Sequence, residues 1–237
     1  MDTSTSAITV AVHDGDAVLA QRSVLDARAH TEHLAPLITE VLEAADLVPA
    51  EVTDVAVGVG PGPFTGLRVG LVTARTFAHA LGLPAHGVVS LDALAHAAVT
   101  SGSLSGATEF VVATDARRKE VYLARYVIEA SSAVRVGGPD VIYPADIPND
   151  LRRLPAVGRG ALLYPDVLPD AVGPLDVSAA SVAEVAISQL TAGVEVGLDA
   201  LYLRRPDAQP SAATPKSTVP TSTVPTSTVM APRRERG

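Results

Sequence analysis

The sequence predicts an α/β protein, and three observations carry that reading. Short Val-rich strand patterns alternate with helical stripes through the first hundred residues. The second half reopens with the strand–Asp–turn–strand layout of the first. Hydrophobic residues make up 47% of the chain and aromatics only 3%, so the expected core is Val, Leu and Ala.

Each element has its own local signal. Ala7–Val12 alternates as a strand, His13-Asp14-Gly15-Asp16 turns the chain, and Ala17–Ala20 returns as the second strand of a hairpin. Thr31 and Glu32 open a helix through Asp46. Its apolar stripe is Leu34, Leu37, Ile38, Val41, Leu42 and Ala45, with Thr39, Glu40 and Glu43 opposite. Val55–Val59 reads as a strand that leads into a glycine-rich loop. The next helix, about Leu67 to Leu81, is apolar on more than one side, which suits either a sandwiched core helix or one that also packs on a partner. A strand around His86–Val89 leads to a helix started by Ser90, with Asp92 in its first turn. Ser101–Gly106 reads as a connector. Strands Phe110–Asp115 and Val121–Tyr126 follow, and Ser181 with Glu184 reads as a capping box for a helix ended by Gly193. The expected division is an N-terminal lobe (residues 1–100), a smaller second lobe (101–205) and a tail (206–237). The Thr/Ser/Val/Pro repeat at 217–229 lacks the bulk to offset its ordering entropy, so the tail is expected to be disordered.

Charge narrows the function. The net charge is −8, and the five basic and two acidic residues from Arg205 onward leave the first 204 residues at −11. Such a body is a poor RNA binder by itself, although another subunit can supply positive surface. Cysteine is absent, which excludes disulfide and thiolate chemistry. No apolar run reaches the roughly 18–20 residues that a membrane-spanning helix needs, and no export signal is legible. The expected location is therefore cytoplasmic, away from membranes.

The glycine-rich stretch is the main clue. It reads Gly58-Val59-Gly60-Pro61-Gly62-Pro63-Phe64-Thr65-Gly66-Leu67-Arg68-Val69-Gly70. A loop of this kind between strand and helix brings backbone close to an anion or to other backbone. Here no lysine is present to grip phosphate, and prolines at 61 and 63 remove two N–H donors. The shape is that of a nucleotide site, and part of the chemistry is missing.

Five landmarks in order, from residue 2 to about residue 207, resemble the TsaB family. They are Asp2-Thr3-Ser4-Thr5, the loop Gly60–Gly70, Gly87-Val88-Val89-Ser90-Leu91-Asp92-Ala93-Leu94, Thr114-Asp115-Ala116-Arg117, and Leu201-Tyr202-Leu203-Arg204. The resemblance implies an actin-like, two-lobed fold with mixed sheets flanked by helices. It also implies a non-catalytic, glycoprotease-like paralogue of TsaD, paired with TsaD and with the ATPase TsaE. The pathway places threonylcarbamoyladenosine beside the anticodon of tRNAs that read codons starting with A. On this reading tRNA is met only indirectly, through the complex.

The resemblance also sets expectations residue by residue. TsaD carries two metal-ligand histidines four apart, and the matching positions here are Ser90 and Leu94, so no metal site is expected. His30 and His33 have a chelating spacing but no carboxylate cluster beside them. Asp2, Thr3, Ser4 and Asp115 match the phosphate loops of actin-like kinases. Arg117 and Arg118 stand where glycines are needed, so at most a vestigial nucleotide contact is expected, with ATP or ADP at the subunit junction and no cofactor of the chain's own. No catalytic residue is assigned, and no Gly-x-Ser-x-Gly elbow supports a protease. The expected partner interface draws on Leu34, Leu37, Val41, Val69, Val72, Arg75, Phe77 and His79, the apolar members dividing between core and partner. His33, Glu40, Arg75 and His79 are its expected polar rim, which sets specificity more than affinity. The same helices suit a homodimer. Family members have several apolar residues before the Asp-Thr-Ser motif where only Met1 stands here; either the start is misassigned, which is the expectation, or the strand is clipped and the first sheet weakened. The competing reading is a divergent actin-like kinase or a carbamoyl or acyl transferase centred on Asp2 and Asp115.

Overall fold

Ala7–His13 (β1), buried over its first four residues, pairs with the mostly exposed Val18–Leu25 (β2) as an antiparallel hairpin, Ala7 opposite Leu25. These elements come from a computed structural model, which describes residues 1–26 and 28–204. The expected tail lies outside the described residues. Helix α1 (His30–Ala44) lays Leu34, Leu37 and Val41 on Ile8, Val10 and Ala20 of the hairpin. Strand β3 (Val55–Gly58) runs parallel to β4 (Ala85–Val88), with α2 (Phe64–Leu81) as the crossover between them. Helix α3 (Ser90–Thr100) follows.

Met1 and Asp2 join these two strand pairs. Asp2 and Thr9 exchange backbone hydrogen bonds at 3.0 Å on the β1 side. On the β3 side the Met1 amine donates to Ala56 O at 2.8 Å, and Gly58 N–H donates to Met1 O at 3.0 Å. The spatial order is therefore β2, β1, Met1–Asp2, β3, β4.

The second half repeats that order in full. Its sheet runs β7 (Ser132–Ile142), β6 (Val121–Glu129), β5 (Glu109–Asp115), β8 (Ala156–Val157), β9 (Ala171–Val172). The meander β5–β6–β7 is antiparallel, and β5, β8 and β9 are parallel. Strand β5 is buried on both faces: Phe110 and Val112 enter the main core, Val111 and Ala113 a second one with Ile147 and Leu168. The main core also takes residues from β3, α2, α3, β6 and α5 (Ala179–Thr191). A short helix, α4 (Arg159–Leu163), closes the second core.

Several boundaries differ from expectation, and β2 runs on to Leu25. Helix α2 starts at Phe64, because the fold draws Gly66 into its first turn. Helix α1 stops at Ala44. The capping box is not formed: Ser178 is the N-cap of α5, Ser181 is buried inside the helix, and Glu184 turns to His96 at 3.0 Å. Among the described residues no helix is long and apolar enough to cross a membrane.

Candidate functional site

The glycine stretch is a seat for residues 2–4. Glycines recur every fourth position at 58, 62, 66 and 70, and each faces that segment. A methyl at Gly58 would lie 1.7 Å from Asp2 Oδ2, and one at Gly62 would lie 2.5 Å from Ser4 O. At Gly66 it would lie 2.7 Å from Thr3 O, and at Gly70 2.4 Å from Thr3 Oγ1. Backbone meets backbone at Gly62 and Gly66, and a held side-chain oxygen at Gly58 and Gly70, an approach that only glycine permits.

The side chains of the segment are spent on the same contact. Thr3 Oγ1 donates to Gly66 O at 2.7 Å and accepts from Gly70 N–H at 3.0 Å, pinning α2. Asp2 Oδ1 accepts from Ser4 N–H and Ser4 Oγ, both at 2.7 Å, while Ser90 Oγ donates to Oδ2 at 2.6 Å. Ser90 Oγ also accepts from Gly60 N–H at 3.1 Å. Asp2, Thr3 and Ser4 are essentially fully buried. Desolvation pushes the Asp2 carboxyl above its usual range, against its hydrogen bonds. Burial likewise pushes the Met1 amine down to about 6, while Asp2 pulls it the other way. Asp2, Thr3 and Ser4, the expected vestigial nucleotide contact, are thus engaged with residues of the chain itself. Asp2 Oδ1 already carries two hydrogen bonds and Oδ2 one, the carboxyl is fully buried, and Gly62 lies against Ser4.

Asp115 is placed differently, in the wall of an open cleft beside the seat. Thr5, Pro63 and Arg117 are common to two adjoining parts of that cleft. One part adds Ser6, Asp115, Arg159 and Asp176, and its charges are paired: Arg117 Nη1 to Asp115 at 3.0 Å and Arg159 to Asp176 at 2.7 Å. The other part, about 260 Å³, adds Arg28, His30, Phe64 and Thr65. Arg117, Arg118 and Lys119 stand in the left-handed region in succession, at φ 61°, 54° and 65°. That is costly for residues with side chains and is relieved by no glycine.

The candidate ligand positions do not converge. Leu94 is wholly buried in the core, and Ser90 serves Asp2. His30 faces Thr5 O at 3.4 Å while His33 faces Asp26 at 3.9 Å, so the pair is split. Among the described residues no group of three His, Cys, Asp or Glu is placed to hold a metal.

The helix residues sort by face. Leu34, Leu37 and Val41, expected to divide with the others between core and partner, lie in the core under the hairpin. Val69 and Phe77 are half-buried, and Val72, Arg75 and His79 are exposed, Val72 at 61%. Arg75 is engaged within the chain, donating to Leu198 O at 2.5 Å and pairing with Asp199 at 3.4 Å. Sequence reading missed the contact of Phe64 with Tyr202, 5.3 Å between ring centroids. Both residues stand in quoted landmarks, but nothing local joins them.

Residues 24–189 match the family model described as TsaD, tRNA N6-adenosine threonylcarbamoyltransferase. An uncharacterized protein of Mycobacterium bovis is 41% identical over 90% of this chain and 93% of its own length. A related protein of Mycobacterium leprae is also 41% identical over 90% of this chain, which spans only 56% of that protein. The tRNA threonylcarbamoyladenosine biosynthesis protein TsaB of Escherichia coli is 36% identical over 53% of each chain. The chain belongs to the TsaB family. YeaZ from Pseudomonas aeruginosa is similar in structure, with a TM-score of 0.68 and 28% identity over 85% of this chain and 97% of that one. A second Pseudomonas aeruginosa structure, of a protein with similarity to peptidase YeaZ, gives 0.71 and 27% over 86% and 97%. The TsaB family thus shares the α/β class with mixed sheets expected here. In this member of it, the glycine landmark is a structural seat.

Proposed function

We propose that the chain is a non-catalytic scaffold subunit that pairs with TsaD, and with TsaE, in threonylcarbamoylation of tRNA. The relatives named TsaB act by name in threonylcarbamoyladenosine biosynthesis, and the matching family model is that of the transferase. One observation carries the scaffold role. The positions matched to the transferase's histidine ligands hold Ser90, which latches Asp2, and Leu94, which is buried in the core. Leucine cannot ligate, and serine is a poor ligand, here already donating to Asp2 and accepting from Gly60 N–H. What the chain offers instead is a surface on α1 and α2 with Val72 exposed and Val69 and Ile38 half-covered.

The test is reconstitution of tRNA threonylcarbamoylation from TsaD and TsaE, with and without this chain. The expected result is activity only when the chain is present, and none from the chain alone. Full activity in its absence would sink the scaffold reading. Transfer by the isolated chain would favour the enzyme reading instead.

A further inference from the structure

At the N-terminal end of α2 an exposed aromatic pair stands beside a cationic cleft. Phe64 is 48% exposed and Tyr202 43%, in a chain with only 3% aromatic residues. Their rings pack at 5.3 Å with a 31° tilt. Arg68 places its guanidinium carbon 3.9 Å over the Phe64 ring and donates from Nε to Tyr202 Oη at 3.0 Å. An arginine held on a ring keeps its charge and is already ordered. Phe64 also lines the cleft whose wall carries Arg28 and Arg117. Among the described residues no carboxylate lies within ion-pair range of Arg28 or Arg68, while Arg117, in a strained left-handed turn, pairs with Asp115 at 3.0 Å.

Two costs are being carried here. Half-exposed rings forgo burial, and left-handed basic residues raise backbone energy. This aromatic–arginine stack has the chemistry to take a base on the Tyr202 ring or the Arg68 guanidinium plane, with Arg28 and Arg117 in the cleft beside it for phosphates. We infer that this rim, Phe64, Tyr202 and Arg68 with Arg28 and Arg117, contacts single-stranded RNA. The inference rests on the tRNA-modification reading and adds to it a direct contact. The body's charge of −11 explains why the contact is confined to one patch, and why it acts beside a partner that supplies the remaining positive surface.

The experiment measures binding of a labelled anticodon stem-loop RNA by fluorescence anisotropy. It uses the full chain with TsaD, and the full chain alone, so the contact is judged whether or not a complex assembles. Gel filtration of the same samples reads assembly. Phe64→Ala with Tyr202→Ala should weaken RNA binding about ten-fold, from the loss of stacking. Arg28→Ala, at an exposed site that leaves the fold alone, should lower the salt slope by about 1. Assembly with TsaD should not change. Unaltered RNA affinity in all these variants overturns the proposal. Loss of assembly with RNA affinity retained also overturns it, making the rim a protein contact. Displacement of the RNA by equimolar AMP overturns it as well, because the cleft would then read a free nucleotide.

Discussion

At the scale of single residues, the loop that looks like a phosphate cradle is a close-packing joint. Its glycines are fixed by what faces them. A Cβ at Gly58 falls on the Asp2 carboxylate, itself held by Ser90 and Ser4, so no flexible atom is free to yield. Gly58→Ala should therefore destabilise the fold by about 3 kcal/mol or more, the range of core overpacking with a buried polar group displaced. Gly137, on the exposed strand β7, meets only Arg125 Cβ at 3.7 Å, an ordinary contact. Gly137→Ala should change stability by less than about 1 kcal/mol. Urea denaturation of both variants checks the pair, and equal effects would show that close approach to residues 2–4 is not what the loop requires. The spacing was legible in the sequence; its meaning was not. Asp2 and Ser90 are 88 positions apart, and no periodicity connects a carboxylate to a distant hydroxyl.

At the scale of elements, the helices were readable because a 3.6-residue period is a local signal. The stripe of Leu34, Leu37 and Val41 marks an apolar face, and the structure turns it onto β1 and β2. Period alone does not say whether such a face meets the chain's own sheet or another molecule. That is why the interface residues needed coordinates to sort. The shortest elements were unreadable for a related reason: β8 and β9 have two residues each, too few for any alternation. The sorting makes opposite expectations for two residues on neighbouring helices. Leu37→Ala should cost about 2–4 kcal/mol as a core truncation. Val72→Asp, at a position 61% exposed, should leave stability within about 0.5 kcal/mol and abolish co-purification with TsaD. Thermal melting and pull-down separate the two effects. Retained pull-down by Val72→Asp would move the partner surface off this face of α2.

At the scale of the whole molecule, the repeated strand order suggests two lobes, while the core ties the halves together. Phe110 of β5 is fully buried, stacks on Tyr126 at 5.3 Å and sits in one cluster with Val57, Leu67 and Leu91 from the first half. Tyr126 Oη donates to Asp92 of α3 at 2.8 Å, and Arg135 of β7 pairs with the same carboxyl at 3.0 Å. Separating the halves would expose that cluster and leave a half-buried acid without its partners, so they should unfold as one unit. The helical signal comes mainly from α1, α2, α3 and α5. All five tyrosines lie beyond residue 120, four of them (122, 126, 143 and 164) from β6 to just past α4 and the fifth, Tyr202, packed on Phe64 of α2, and the chain has no tryptophan. Far-UV circular dichroism and tyrosine fluorescence therefore report on different parts of the molecule. Their urea midpoints should coincide in the unmodified chain. Phe110→Ala should lower both together by about 3–5 kcal/mol of stability. Two separated midpoints, or a shift confined to tyrosine fluorescence, would show that the second half folds on its own and that the shared core does not couple it to the partner-facing helices.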